Sequence, residues 1–280
     1  MQYMIKKANG ELVPFDEQKV INCIKRLGVT DEMVTTVLAS VKKQLKQNMQ
    51  TRNIYAIVQK ELKRQVPWAA ARYNLRDAIL RFGPAGFNFE KYVASILTAY
   101  GYKTELPTEL KGACITHEVD VTAEKEGRTA FIEAKFRHEY STHINVKDAL
   151  ATWARFLDLV DGSKIDLCPH FDEAWIVTNA RFSNQVLQYG HCKNMVLIGW
   201  NHPRERTFAQ MVDHEALYPI TVVHDLKRNE LEIFAKSNIM LCKEMVNMDN
   251  SELKKITGLP LKRIEYISKV CSTIVTGSDM

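Results

Sequence analysis

The chain has 280 residues, 46% hydrophobic and 25% charged, an ordinary globular composition with length for two domains. Its formal net charge of +5 permits an anionic partner without requiring one. Six cysteines with no C-x-x-C pair indicate neither a structural zinc site nor a disulfide framework, and fit small buried thiols in a reducing compartment. The opening Met1–Lys7 lacks the apolar run of a signal peptide. No stretch reaches the ~20 apolar residues that span a bilayer. These features predict a soluble, cytoplasmic protein with no membrane partner.

In chain order, the first block begins with a strand over 3–7 and a second through Leu12 and Val13, joined at Asn9 and Gly10, a strong hairpin signal. Asp16 then caps a helix with Val20, Ile21, Ile24 and Leu27 on one face, ended by Gly28. A second helix carries Val34, Val37, Leu38, Val41 and Leu45. Thr51 is expected to cap a third, with Ile54, Ile57, Val58 and Leu62 as its stripe, and a fourth runs over 68–82 until Gly83 and Pro84. The second block alternates helix and strand: helix 87–100, an extended piece 102–106, strands 115–123 and 129–136, helix 145–160, strand 174–177, helix 183–191 and strand 196–198. That alternation predicts a mixed sheet with helices on both faces. The third block is helical. The resulting division is 1–83, 84–225 and 226–280.

The sharpest chemical signal is the hairpin of the second block. Glu133 and Lys135 stand two apart and share a strand face, while Ile132, Ala134 and Phe136 point into the opposite layer. A turn centred near Glu126 brings Asp120 beside Ile132 or Glu133. Two carboxylates and an ammonium then gather on one face. The carboxylates repel, and a divalent cation of the Mg2+ or Mn2+ type relieves that repulsion. On a phosphodiester such a cation lowers the pKa of a bound water and offsets charge. His117, His138 and His143 flank the site and read as loop residues more readily than as a general base.

The run Gly86–Glu90 opening a helix, Gly101 and Tyr102, His117–Val121, Phe131–Lys135, and later Trp175–Phe182 and Leu197–Trp200 together resemble the Mrr-like restriction endonucleases of the PD-(D/E)xK superfamily. The resemblance implies a restriction-endonuclease-like α/β fold. It implies Asp120 and Glu133 as metal ligands, Lys135 as catalytic lysine and Glu90 as an accessory acid. Val119 stands where the motif's name has proline.

The opening block is similar to an ATP-cone, a small α+β regulatory nucleotide-binding domain. The similarity rests on Ile5–Gly10, Val13–Asp16, Lys19 and Val20, Thr51–Tyr55, and Ala70–Arg76. It implies ATP or dATP as regulatory ligand. Lys6, Lys7 and Lys19 would touch phosphate, with Arg76 a further candidate. Ile5 and Phe15 would line the base, with Thr51 and Tyr55 close to the nucleotide. Ala8 departs from the basic residue that many cones carry there. No G-x-x-x-x-G-K-[ST] occurs in the chain, so nucleotide is expected to regulate rather than to power work.

In the third block, Lys254 and Lys255, then Gly258, then Lys262 and Arg263 read as two helices around a tight turn. They resemble a helix-hairpin-helix phosphate site, but read somewhat more readily as a packing or dimerisation hairpin. The combined expectation is a Mg2+-dependent DNA endonuclease, gated by ATP or dATP, assembling as a homo-oligomer and suited to restriction or anti-phage defence. The alternatives are a nucleotide-responsive DNA-binding regulator with an inactive nuclease fold, or an RNA nuclease.

Overall fold

The computed structural model describes residues 2–7, 9–139 and 142–278; Ala8 lies outside them. Two compact units form, Met1–Gly86 together with Ala216–Met280, and Phe87–Glu215. No helix of the described residues is long and apolar enough to cross a membrane.

The first unit opens with β1 (Met4–Lys6) and β2 (Leu12–Pro14), antiparallel with Ile5 opposite Val13. Gly10 sits at φ +87°, a conformation the turn needs and glycine supplies. Asp16 caps α1 (Glu17–Lys25), its Oδ1 accepting from the amides of Gln18 and Lys19. Helix α2 (Asp31–Gln44) buries Val34, Val37 and Val41. Strand β3 (Met49–Gln50) pairs parallel with β1 and runs straight into α3 (Thr51–Gln65). Thr51 is therefore the first helical residue; Gln50 holds the cap position without a side-chain bond. The expected helix 68–82 is three short ones, α4 (Pro67–Tyr73), α5 (Leu75–Leu80) and α6 (Phe82–Ala85). The breaks fall at Asn74 and Arg81, whose side chains serve Tyr55 and the carbonyls of Thr221, Val223 and Leu226.

The second unit starts with α7 (Phe89–Ala99), capped by Asn88, and β4 (Lys103–Glu105). A small hairpin follows, β5 (Glu109–Lys111) with β6 (Thr116–Glu118), then the central hairpin β7 (Val121–Lys125) and β8 (Arg128–Lys135). Its two-residue turn holds Glu126 and Gly127 at φ +53° and +75°, the primed geometry that matches strand twist. Next come β9 (His143–Ile144), α8 (Val146–Ser163), β10 (Glu173–Thr178), β11 (Arg181–Phe182), α9 (Asn184–Cys192), β12 (Val196–Ile198) and α10 (Phe208–His214). The main sheet is mixed, in the order β12-β10-β8-β7-β4, with β10 parallel to β8 and β7 antiparallel to it. Helices pack on the sheet, α7 against β7 and β8 and α8 against β10. Phe131, Phe156, Leu159, Phe171, Ile176 and Val186 form much of the core on the α8 side. Each such side chain contributes roughly 1.5–3 kcal/mol on burial. The expected strand 115–123 is divided between β6 and β7 at Val119 and Asp120.

The C-terminal segment returns to the first unit through a 3-10 turn (Ile220–Val222), α11 (Arg228–Lys236), α12 (Cys242–Asn247), α13 (Asn250–Thr257) and α14 (Leu261–Thr276). Arg72 of α4 joins three chain segments there. It donates to the carbonyls of Leu27 at 2.8 Å, Ile274 at 2.8 Å and Val275 at 3.0 Å. Its guanidinium lies over the rings of Trp68 and Tyr218. The unit boundaries thus differ from the sequence division by a few residues at 83/84 and more at 225/226. Residues 226–280 pack mainly on one another, α12 and α13 against α14, and join the first unit where α14 meets α4, α11 meets α6, and Arg72 bonds the Ile274 and Val275 carbonyls. All six cysteines are free; Cys242 and Cys271 are buried, but Cys23, Cys114 and Cys192 are exposed, against the expectation of buried thiols.

Candidate active site and nucleotide domain

Glu133 and Lys135 close the C-terminal end of β8 on the face toward α8, the face that also carries Phe131 into the core. On the other face Phe136 meets Phe89 of α7 at 5.4 Å between ring centroids. The register that sets Val121 opposite Ile132 continues to Asp120 opposite Glu133, one of the two positions expected. Asp120 sits just before β7, and its Oδ2 accepts the Ala134 amide at 2.7 Å. Its carboxylate thus takes a bond that a continuing strand would give to a carbonyl, and its direction is fixed.

Electrostatics at this pair are unbalanced on one side and compensated on the other. Burial pushes the Asp120 carboxyl up to about 6, the Glu133 charge adds to that, and Glu90 adds a smaller push from the first turn of α7. Glu133 is 4% exposed and gripped by two cations: Lys135 Nζ at 2.5 Å from Oε1 and an Arg155 guanidinium nitrogen at 2.5 Å from Oε2. Arg155 comes from α8 and also donates to the Glu118 carbonyl. It therefore brackets both chain segments that carry the carboxylates.

Sequence reasoning missed Arg155. Its only signal was position, flanking the buried stripe Ala149, Thr152, Phe156 and Leu159 of α8, where a charged residue is ordinarily solvated.

The strand end is held rigidly. Thr178 Oγ1 donates to the Lys135 carbonyl at 2.6 Å, and Asn179 exchanges two 2.8 Å bonds with the Arg137 backbone. The Arg137 side chain pairs with Asp148, which also closes the capping box of α8 with Asn145. These contacts account for the burial of Thr178 and Asn179. His117 is buried with a ring nitrogen 2.7 Å from Asp158 of α8, while His138 and His143 are exposed. Asp158 also accepts from the amides of Cys114 and Ile115, so this trio fastens the β5–β6 hairpin to α8. Among the described residues no group of three or more His, Cys, Asp and Glu side chains is gathered to hold a metal ion; the acidic centre is the pair Asp120 and Glu133.

In the first unit, Lys6 pairs with Gln50 across β1 and β3, so it lies next to Thr51 at the start of α3. Lys6, Lys7 and Lys19 are exposed, Lys7 at 2.9 Å from Glu11 and Lys19 at 3.5 Å from Asp16. Ile5 and Phe15 are half-buried, and Phe15 lines an open cleft of about 370 Å3 with Tyr3, Glu17, Lys42 and Leu45. Tyr55, one helical turn beyond Thr51, stacks on Tyr73 at 4.7 Å and donates to Asn74 at 2.7 Å and Asp77 at 3.2 Å. Burial, then Asp77, hold the Tyr55 hydroxyl well above its ordinary pKa. In the C-terminal helices Gly258 makes the predicted tight turn at φ +69°, and Lys254, Lys255 and Lys262 are exposed. Arg263 is not presented like them: its guanidinium is spent on Glu230 at 2.7 Å and Asp225 at 2.7 Å.

Comparison with known proteins places both ends of the chain. Residues 3–77 match the ATP cone domain, and residues 218–275 match the AF1548-like C-terminal domain. A protein of Archaeoglobus fulgidus named only as uncharacterized is 30% identical over 175 residues, spanning 62% of this chain and 95% of its own length. The crystal structure of a protein of unknown function, AF1548, aligns with a TM-score of 0.57 at 28% identity, over 71% of this chain and all of that one. The chain belongs to the family of this Archaeoglobus fulgidus protein. It joins that family's mixed α/β architecture to an ATP cone, a domain that binds regulatory nucleotide.

Proposed function

We propose that the Phe87–Glu215 unit is an Mrr-like, divalent-metal-dependent DNA endonuclease of the PD-(D/E)xK type, regulated by ATP or dATP in the cone. The observation that carries this reading is the meeting of Asp120, Glu133 and Lys135 at one end of the central hairpin.

The donor set fits a hard divalent cation, Mg2+ or Mn2+. Its oxygens belong to two carboxylates close enough that one raises the proton affinity of the other. When bound there, such a cation lowers the pKa of a bound water and offsets charge on the phosphodiester. Asp120 is already aimed by the Ala134 amide. Glu133 must release one of its two cations to serve as a ligand. Arg155 is held twice, by Glu133 and by the Glu118 carbonyl, and Lys135 is held by Glu133. Lys135 is therefore the group released, and its ammonium then stands beside the pair to grip a phosphate oxygen and orient the attacking water. Arg155 stays to keep Glu133 and the Asp120 segment in register. Glu90 tunes the field at Asp120.

The site chemistry accepts DNA or RNA, and the resemblance to restriction endonucleases favours DNA. In the cone, Lys6, Lys7 and Lys19 would hold phosphate, Ile5 and Phe15 the base, and Thr51 and Tyr55 the nucleotide's near side. Lys254, Lys255 and Lys262 would add non-specific attraction for the DNA backbone. A nuclease answering to ATP or dATP suits defence against invading DNA. That role fails if cleavage is indifferent to both nucleotides. Calorimetric titration of Mn2+ into wild type, Asp120→Asn and Glu133→Gln tests the metal site: binding by wild type and its loss in both variants is expected. Equal binding by all three would place the metal elsewhere.

A further inference from the structure

Helix α8 carries Arg155 toward Glu133 on one side and turns an apolar face to solvent on another. Leu150 is 46% exposed and Leu157 45%, with exposed Ala151 and Ala154 between them. These four recur at the spacing of one helical face. Ile115, 63% exposed, lies alongside, because its amide is held by Asp158, the residue after Leu157. Exposed Lys147 and Asp161 end this face.

Two pairs on this face are complementary under a twofold axis through Ala154, while Leu150, four residues before it, comes over the other copy's Asp158, whose carboxylate is turned to His117 and the Cys114 and Ile115 amides. Lys147 lies seven residues before Ala154 and Asp161 seven after; Ala151 lies three before and Leu157 three after. Antiparallel packing of two copies therefore sets Lys147 against the other copy's Asp161 at both ends. Each Leu157 meets the space over an alanine, and the small Ala154 at the axis lets the helices approach closely. The charges carry a second argument. A cation in the first turn and an anion in the last turn both oppose the helix dipole. Asp161 has a local partner in Lys164 at 2.7 Å, but that pair is well exposed and worth little. Opposite charge brought across a twofold axis gives both ends a compensating neighbour.

We infer that the exposed face of α8 is the contact through which two copies of this chain form a twofold dimer. Neither the metal site nor the cone is needed for this contact, so it stands whether or not the protein cleaves DNA.

Sedimentation equilibrium of the full chain tests it, at concentrations on the order of 10 µM. Wild type is expected to be a dimer. Leu157→Asp enters the interface twice and should raise the dissociation constant at least about 100-fold. Lys147→Glu should weaken the dimer about 10-fold, and adding Asp161→Lys should restore it, because opposite signs again meet across the axis. Both charge reversals favour the helix dipole, so loss of dimer in Lys147→Glu cannot be loss of the helix. A monomeric wild type, a dimer indifferent to Leu157→Asp, or a double reversal weaker than Lys147→Glu alone would each overturn the assignment.

Discussion

At the residue scale, the two acidic side chains of the candidate site are neighbours with opposite effects on stability. Asp120 has its pKa raised from 3.8 to about 6, so the native state holds its proton more tightly than the unfolded chain does. Its contribution to stability is complete below the unfolded value and is lost as pH rises through about 6. Asp120→Asn should therefore match wild type near pH 4. It should be more stable by about 1 kcal/mol at pH 7.5, after allowance for the partial exposure of the group. Glu133→Gln should do the reverse at pH 7.5 and cost about 3 kcal/mol, because it strands Lys135 and Arg155 without their counter-charge. Denaturant unfolding of both variants without divalent cations, at the two pH values, checks the pair. The same sign rule bears on ligands: a proton competes with the cation for Asp120, so Mn2+ affinity is expected to fall as pH drops through about 6. Affinity flat from pH 7.5 to 5 would remove Asp120 from the site.

At the element scale, much was legible. Asn9 and Gly10 mark the first turn, Asp16 marks the first cap, and the turn at Glu126 fixes the register that sets Asp120 opposite Glu133, because these signals are local. What escaped was tertiary. Nothing within residues 68–82 announces breaks at Asn74 and Arg81, whose partners are Tyr55 and the chain beyond Thr221. Arg155 reads as a surface charge until the sheet sets Glu133 beside it. The fastening of the β5–β6 hairpin was equally invisible, since it joins Cys114, Ile115 and His117 to Asp158 about 40 residues away. Gly112 makes that fastening possible. A methyl group there would lie 2.1 Å from Asp158 Oδ2 and 2.9 Å from the Ile115 carbonyl. Asp158 cannot move aside without abandoning its three partners. Gly112→Ala is expected to cost about 1–3 kcal/mol, to speed amide exchange at Cys114 and Ile115, and to slow cleavage, because β6 leads directly into Asp120. Unchanged exchange would show the hairpin to be held some other way.

At the scale of the whole molecule, the cone and the C-terminal helices fold as one unit, although their sequences match two separate family descriptions. Arg72 is the clearest joint, donating to the Leu27 carbonyl just beyond α1 and to the Ile274 and Val275 carbonyls of α14. Arg72→Ala should destabilise this unit by about 3 kcal/mol, the cost of leaving those carbonyls without a charged donor. Circular dichroism melting checks it. ATP at 100 times its dissociation constant should stabilise the same unit by about 2.7 kcal/mol in wild type. A change in the melting of the C-terminal helices on nucleotide binding would follow from their shared core.

Cleavage of supercoiled plasmid in Mg2+, by wild type beside Lys135→Ala and with ATP, dATP or neither, tests the central claim most directly. Nicking by wild type that responds to nucleotide and is lost in Lys135→Ala is the predicted result. No cleavage by wild type under any of these conditions, with DNA binding retained, would contradict the claim and leave a nucleotide-responsive DNA-binding protein in its place.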